Sequence, residues 1–299
     1  METIPNLIEE LHKGNSRALA RCITYVENEL PGFEEILLQL KFSKNTPVVG
    51  FTGPPGAGKS TLINALFNYL SAQKLRVGII AIDPTSPFNY GSLLGDRVRM
   101  SAHFLDENIF IRSLATRGSL GGLSAKTIEI TELMKAARFD YIFVETVGVG
   151  QSEVEIVGLA DTTVLVLVPE AGDEVQSLKS GIMEIADVFV VNKSDRPGAG
   201  FFLKNLHDLI HTQEEKKWIP KIVKAIATNQ EGVEELFENI KQHLSQQENK
   251  HKAFLYAEKA YQLIQNKRMK EVNKRALKEE IETLLLKNQF NLYSFIQKY

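Results

Sequence analysis

The chain has 299 residues, 43% of them hydrophobic and 24% charged, which is ordinary globular composition with room for one large domain plus appendages. A formal net charge of −2 gives no global reason to expect nucleic acid or an anionic membrane as partner, and the single cysteine, Cys22, excludes an intrachain disulfide and a cysteine zinc cluster. No apolar run approaches the roughly 18 residues that a bilayer-spanning helix needs. The first residues, METIPNLIEELHKGN, bring acidic groups early and no apolar signal core, so a soluble, cytoplasmic protein with no membrane partner is expected.

Residues 1–45 read as a helical extension. Leu7, Ile8, Leu11, Leu19 and Ile23 recur at helical spacing, and Pro31-Gly32 breaks the run before Phe33–Leu40. From 46 to 240, short β-branched runs alternate with helical patterns. The strands are expected at Val48–Phe51, Val77–Ile82, Ile109–Ile111, Tyr141–Glu145, Thr163–Val168, Val188–Asn192 and Ile222–Ile226. That alternation predicts an α/β domain with a mostly parallel central sheet flanked by helices, and ligands at the carboxyl ends of its strands.

The first of those strands runs into GPPGAGKST, residues 53–61. The string fits the phosphate-loop pattern G-x-x-x-x-G-K-[ST] without a mismatch, and 61-TLINALFNYL-70 continues as an amphipathic helix. The glycines Gly53, Gly56 and Gly58, with Pro54, Pro55 and Ala57 between them, let the backbone curl until its N–H groups face phosphate oxygens. The helix starting near Lys59 offers unpaired N–H groups and a positive dipole end to the same anion. Lys59 can reach the β- and γ-phosphates, the Ser60 hydroxyl that ends the pattern can ligate Mg²⁺, and Thr61 next to it is expected among the nucleotide-binding residues.

The second strand ends in Asp83, followed by PTSPFNYGSLLGDRVRM. Asp83 and Asp96 are candidates for the metal and γ-phosphate shell, and Asp96 for a catalytic role. The Pro, Ser and Gly residues between them describe a loop that a γ-phosphate could order. Arg97, Arg99, Arg112 and Arg117 follow, any of which could stabilise transition-state charge. The fourth strand brings Glu145 to its carboxyl end, with Gly148 beyond it. A carboxylate there can hold Mg²⁺ through water, or position the attacking water. The Gly148 N–H can meet the γ-phosphate.

The sixth strand ends in NKSD, residues 192–195. At that point of a phosphate-loop domain, N-K-x-D reads guanine. Asp195 accepts from the guanine N1–H and exocyclic amine, a donor pair that adenine lacks. The Lys193 stem lies across the base, and Asn192 can tie this loop to the phosphate loop. GTP is therefore expected over ATP. A second guanine contact is expected in AIATNQEG, residues 225–232, from a backbone N–H near Ala227, although Ile226 stands where a serine is usual. His207 and His211 are four apart and could ligate a metal, but they also fit as solvated flanks of the stripe Leu203, Leu206, Ile210.

Residues 241–299 change character. No Pro or Gly occurs from Lys241 to Lys287, and apolar residues such as Phe254, Tyr261, Ile264 and Leu284 are spread among Lys, Glu and Gln. Long helices are expected there, either as a cap on the sheet domain or as an arm reaching a second subunit.

Taken together, GPPGAGKST (53–61), AIDPTSPFNYGSLLGDRVRM (81–100), RSLATRGSLGGLS (112–124), ETVGVGQSE (145–153), PEAGDEVQSLKSGIMEIAD (169–187) and NKSD (192–195) resemble the MeaB/ArgK/MMAA family of GTPases. The glutamate at 145 is similar to that of the wider metallochaperone group of P-loop GTPases. The resemblance implies a GTP-hydrolysing chaperone, with GTP/GDP and Mg²⁺ as cofactors. Its partner would be an adenosylcobalamin-dependent acyl-CoA mutase, chiefly methylmalonyl-CoA mutase, whose cofactor loading and protection it serves. It also implies that Lys59 and Ser60 bind phosphate and Mg²⁺, that Asp83, Asp96 and Glu145 surround the metal, and that the C-terminal helical part makes a homodimer. Residues 170–179 would form a further nucleotide-responsive loop. The rivals are a nickel-delivery GTPase of the same class, a signalling or ribosome-associated GTPase, a MinD-type ATPase, and the arginine/ornithine transport ATPase or kinase of older family labels. One Cys and six His make a poor nickel store, no basic appendage suggests RNA, and Pro54 stands where MinD-type loops carry an extra lysine.

Overall fold

The computed structural model describes residues 3–83, 100, 103, 105–115, 126–147, 152–171, 185–211, 218–246, 251–269, 272–287 and 290–298. In chain order these form α1 (Ile4–His12), α2 (Ser16–Glu27), α3 (Phe33–Leu38), β1 (Val48–Thr52), α4 (Lys59–Ala72), β2 (Val77–Asp83), β3 (Ile109–Ala115), α5 (Thr127–Ala136), β4 (Tyr141–Glu145), α6 (Ser152–Leu159), β5 (Thr162–Leu167), β6 (Val188–Val191), α7 (Ala199–His211), β7 (Lys221–Lys224) and α8 (Val233–Gln246). They are followed by α9 (Lys252–Arg268), α10 (Lys274–Leu286) and α11 (Leu292–Ile296). The chain divides into two compact units, residues 1–252 and 253–299.

The first unit is built on a seven-stranded sheet in the order β3-β2-β4-β1-β5-β6-β7. Every pairing is parallel. Strands in such a sheet are covered on both faces, which is why β1 (VVGFT) and β5 (TTVLVL) are buried along their whole length. On one face, Leu62, Leu66 and Phe67 of α4 and Leu236, Phe237 and Ile240 of α8 pack on Val49, Phe51, Phe143 and Val164. On the other, α6 comes so close to β1 that a Cβ at Gly50 would lie 2.5 Å from Ile156 Cγ1. Beside β6, Leu206 and Ile210 of α7 join Leu165, Leu167, Phe189 and Val191.

The N-terminal helices belong to this unit. Asn15 caps α2 by accepting from the N–H groups of Arg17 (2.9 Å) and Ala18 (3.2 Å). The far end of α2 is fixed by Glu27, which pairs with Arg112 of β3, and Glu29 just beyond pairs with Lys126 at 2.7 Å. Arg112 lies opposite Ile80, in the middle of the β2–β3 ladder. Its guanidinium is therefore committed to an N-terminal helix rather than to the carboxyl edge of the sheet.

In the second unit, Asn273 caps α10 and Asn291 caps α11. No residue of α10 is buried. Among the described residues no helix is long and apolar enough to cross a membrane.

Candidate functional site

The sheet order puts β1 between β4 and β5, so the carboxyl ends of β1, β4, β5 and β6 converge around the loop that leaves β1. That loop is shaped by glycine where nothing else fits. Gly53 has φ +136°, and a Cβ there would lie 2.1 Å from the Val166 carbonyl oxygen. Gly58 has φ +87° and its Cβ would meet Asn192 Nδ2 at 2.4 Å. Pro55 and Gly56 are exposed at the tip, while Ala57 is buried beneath. Gly58 is the N-cap of α4 and has no side chain with which to satisfy the first-turn N–H groups, so these remain for an outside acceptor.

Lys59 is buried, and its ammonium folds back over the loop to donate to the carbonyls of Gly53 (2.8 Å) and Pro54 (3.2 Å). An anion seated in the loop would meet this ammonium at once. Thr61, one residue on from Ser60, is exposed. The Ser60 hydroxyl donates to Glu145 Oε1 at 2.8 Å, and both side chains are buried. Glu145 reaches this position because it ends β4 directly opposite Phe51 of β1. A hydroxyl and a carboxylate in contact beside a phosphate cradle are hard oxygen donors, the kind that Mg²⁺ takes. The residues present therefore fit that ion.

The base side is joined to the phosphate side by Asn192. It is buried at the end of β6, where Nδ2 donates to the Ala57 carbonyl at 2.9 Å and Oδ1 accepts the Ala227 N–H at 3.2 Å. One carboxamide thus connects the phosphate loop, the NKSD turn and the 225–232 loop. Lys193 takes a left-handed φ of +56° and donates to the Gly56 carbonyl at 2.7 Å, which lays its stem beside the phosphate loop. Ser194 is held by its N–H to Ala225 O (3.1 Å) and its hydroxyl to Val191 O (2.6 Å), leaving Asp195 exposed at the turn. Arg196 reaches across to Glu170, and that guanidinium holds the Glu170 carboxyl below its usual range.

The expected residues are thus only partly in view. Gly53 to Thr61, Glu145, Asn192, Lys193, Asp195 and Ala227 gather at one edge. Asp83 closes β2 at the same edge, opposite Ala115. Asp96, Gly148, Arg97, Arg99, Arg117 and residues 172–179 lie outside the described residues. Ala227 is at the expected place, but its own N–H already serves Asn192. His207 is exposed on α7, and among the described residues no three His, Cys, Asp or Glu side chains cluster to hold a metal. Two threonines under the site have no role assigned by residue type: Thr52 directly precedes the phosphate loop, and Thr146 lies within ETVGVGQSE.

Comparison with known proteins agrees with this geometry. The family model described as methylmalonyl-CoA mutase-associated GTPase MeaB matches residues 19–282. A protein of Pyrococcus horikoshii named as a GTPase is 51% identical over 248 residues, covering 81% of this chain and 78% of that one. The GTPase ArgK of Escherichia coli is 36% identical, covering 80% and 75%. The mouse mitochondrial methylmalonic aciduria type A homolog is also 36% identical, over 80% of this chain and 62% of its own length. Among solved structures, a LAO/AO transport system kinase superposes with a TM-score of 0.70 over 99% of this chain and 96% of its own, at 24% identity, which supports the fold.

Proposed function

The chain belongs to the MeaB family of GTPases, and from that premise we propose that it assists an adenosylcobalamin-dependent acyl-CoA mutase, with methylmalonyl-CoA mutase as first candidate. The protein binds guanine nucleotide and hydrolyses GTP, as the family and its named relatives do. The mutase enters through the family description and through the mouse relative named for methylmalonic aciduria.

The observation that supports the site assignment is the Asn192 bridge, which ties the NKSD turn to the phosphate loop and to the 225–232 loop. In this proposal Asp195 accepts from the guanine edge and Lys193 covers the base. The first-turn N–H groups of α4 and the Lys59 ammonium neutralise the β- and γ-phosphates. Lys59 gives up its carbonyl partners to do so, exchanging neutral acceptors for charged ones, which strengthens its bonds. Ser60 and Glu145, with Asp83 and Asp96, would hold Mg²⁺, which when bound would neutralise charge developing on the phosphate oxygens. Glu145 also orients the attacking water, and the Gly148 N–H meets the γ-phosphate.

The GTP and GDP forms then present different surfaces to the mutase, and hydrolysis switches between complexes that permit and forbid cofactor exchange. Coupling must be reciprocal in binding terms, so a nucleotide that changes mutase affinity has its own affinity changed by the same factor. The C-terminal helices make the homodimer. The test is GTP and ATP turnover by the purified protein with and without purified methylmalonyl-CoA mutase from the same source. GTP-selective turnover that rises with the mutase is expected. Turnover indifferent to every acyl-CoA mutase tried would sink the chaperone role, and a preference for ATP would sink the assignment of Asp195.

A further inference from the structure

Thr52 is the last residue of β1 and stands immediately before Gly53, while Thr146 follows Glu145 at the end of β4. They lie 94 residues apart and meet because β1 and β4 are neighbours, with Phe51 opposite Glu145. The Thr146 N–H donates to the Phe51 carbonyl at 3.0 Å, and its hydroxyl donates to the Thr52 hydroxyl at 3.1 Å. Both side chains are buried, Thr52 to 0% exposure and Thr146 to 2%. Burial alone does not ask for threonine here, because valine fills the same shape and supplies neighbouring positions such as Val48, Val49, Val144 and Val164. A hydroxyl buried at either place needs a hydrogen-bond partner or bears a desolvation cost, and here the two are bonded to each other.

We propose that Thr52 and Thr146 are positioning residues for GTP hydrolysis. Their bond clasps the backbone just beyond Glu145 to the root of the phosphate loop, and so holds the Glu145 carboxylate in register with the Ser60 hydroxyl. The inference rests on the roles given above to Glu145 and Ser60. The β1–β4 ladder fixes Glu145 from its N-terminal side. On its C-terminal side the Thr146 N–H supplies one tether, and the hydroxyl pair supplies the second. A displacement of about 1 Å at a reacting group is enough to cost roughly 100-fold in rate, so a second tether is significant there.

Thr146→Val keeps the shape and the N–H bond and removes only the hydroxyl. We expect kcat for GTP to fall about tenfold while KM for GTP changes less than about twofold, the pattern of a lost transition-state interaction. Thr52→Val does the same, and Thr146→Ser recovers kcat to within about threefold. The decisive variant carries both T52V and T146V. With both hydroxyls gone no orphaned polar atom remains, so the thermal midpoint returns toward the parent value, while kcat stays about tenfold low. Recovery of kcat together with the midpoint would show a merely structural pair and overturn the proposal. So would a T146V variant with parental kcat beside an impaired Glu145→Gln variant. A Glu145→Gln variant with parental turnover would overturn the role of Glu145, and the clasp with it.

Discussion

Replacing Asn192 by alanine should uncouple base from phosphate. Its side chain is 2% exposed and makes two bonds, to the Ala57 carbonyl at 2.9 Å and from the Ala227 N–H at 3.2 Å. Ala57 is fully buried and Ala227 nearly so, which leaves water poor access to the groups the substitution strands. Each stranded buried backbone group costs about 1–3 kcal/mol, so the pair together costs about 2–4 kcal/mol once local relaxation is allowed. In a unit of this size that lowers the thermal midpoint by about 5–15 °C. The effect on ligand binding is separate. With the carboxamide gone the turn keeps only the Lys193 bond to Gly56 and the Ser194 bonds to Ala225 and Val191, so Asp195 should be held less firmly toward the base, and losing about 2 kcal/mol of base recognition would weaken GDP about 30-fold. ADP, which Asp195 does not read, should weaken much less, so the ratio of GDP to ADP affinity contracts. Calorimetric titration with both nucleotides, beside thermal unfolding of N192A, measures each quantity. An N192A protein with parental midpoint and parental GDP affinity would refute the claim that one carboxamide joins the two halves of the site.

Two further outcomes follow from single groups. Asp195→Asn replaces an acceptor pair by one acceptor and one donor, so GTP affinity should fall about 10- to 100-fold. Xanthosine triphosphate, whose 2-oxo group accepts from the new amide, should bind better than GTP, and unchanged GTP affinity in competition binding would remove Asp195 from the base. The pH dependence concerns His12, whose Nε2 accepts the Lys41 N–H at 3.0 Å. Burial, then the charges of Lys41 and Arg138, hold its pKa below the ordinary 6.5. The unfolded chain therefore binds the proton more readily. The stability that neutral His12 contributes is whole above about pH 6.5 and is lost as pH falls through the lower folded value. The parent should lose more midpoint than His12→Gln between pH 8 and pH 5.5, and equal slopes would show that this imidazole does not matter.

The inner strands were legible because parallel strands buried on both faces, such as β1, β5 and β6, must be runs rich in Val, Ile, Leu and Phe, whereas β7 at the sheet edge is KIVK, with both its lysines exposed. Strand ends were less legible. β3 extends to Ala115 past the expected Ile111, because Arg112 is not at a solvated strand end but is paired with Glu27. β7 stops at Lys224, because Ile226 leaves the ladder for an isolated bridge to Glu231. Within the site, contacts that belong to one motif were readable. The places of Lys59 and Ser60 follow from the phosphate-loop pattern alone, and the Asn192 tie to that loop, although it joins two motifs, follows from the pairing of a phosphate loop with NKSD. Contacts that need two strands to be neighbours were not. Nothing in ETVGVG indicates that Thr146 will face Thr52, since that depends on β4 rather than β2 lying beside β1. The sequence pattern likewise offers the Ala227 N–H to a base, whereas the fold pairs it with Asn192 Oδ1.

The C-terminal unit raises a problem of stability that its own contacts do not solve. α10 has 13 residues and buries none of them, and an isolated helix of that length is marginal in water. On α9, Phe254, Tyr261 and Ile264 are 70%, 65% and 52% exposed at spacings of seven and three residues, which places them along one stripe. An apolar stripe of that kind suits the seam of a helix pair, and a second copy of the same unit would offer an identical stripe, which a twofold axis can bring into register. The full chain should therefore sediment as a dimer at micromolar concentration. A chain ending at residue 251 should be a monomer that still hydrolyses GTP, because the phosphate loop, Glu145 and the NKSD turn all belong to the first unit. Helix content per residue in residues 253–299 should then depend on concentration, since folding and association are one step. A full chain that remains monomeric, with helix content unchanged on dilution, would show that the stripe is not an interface between copies.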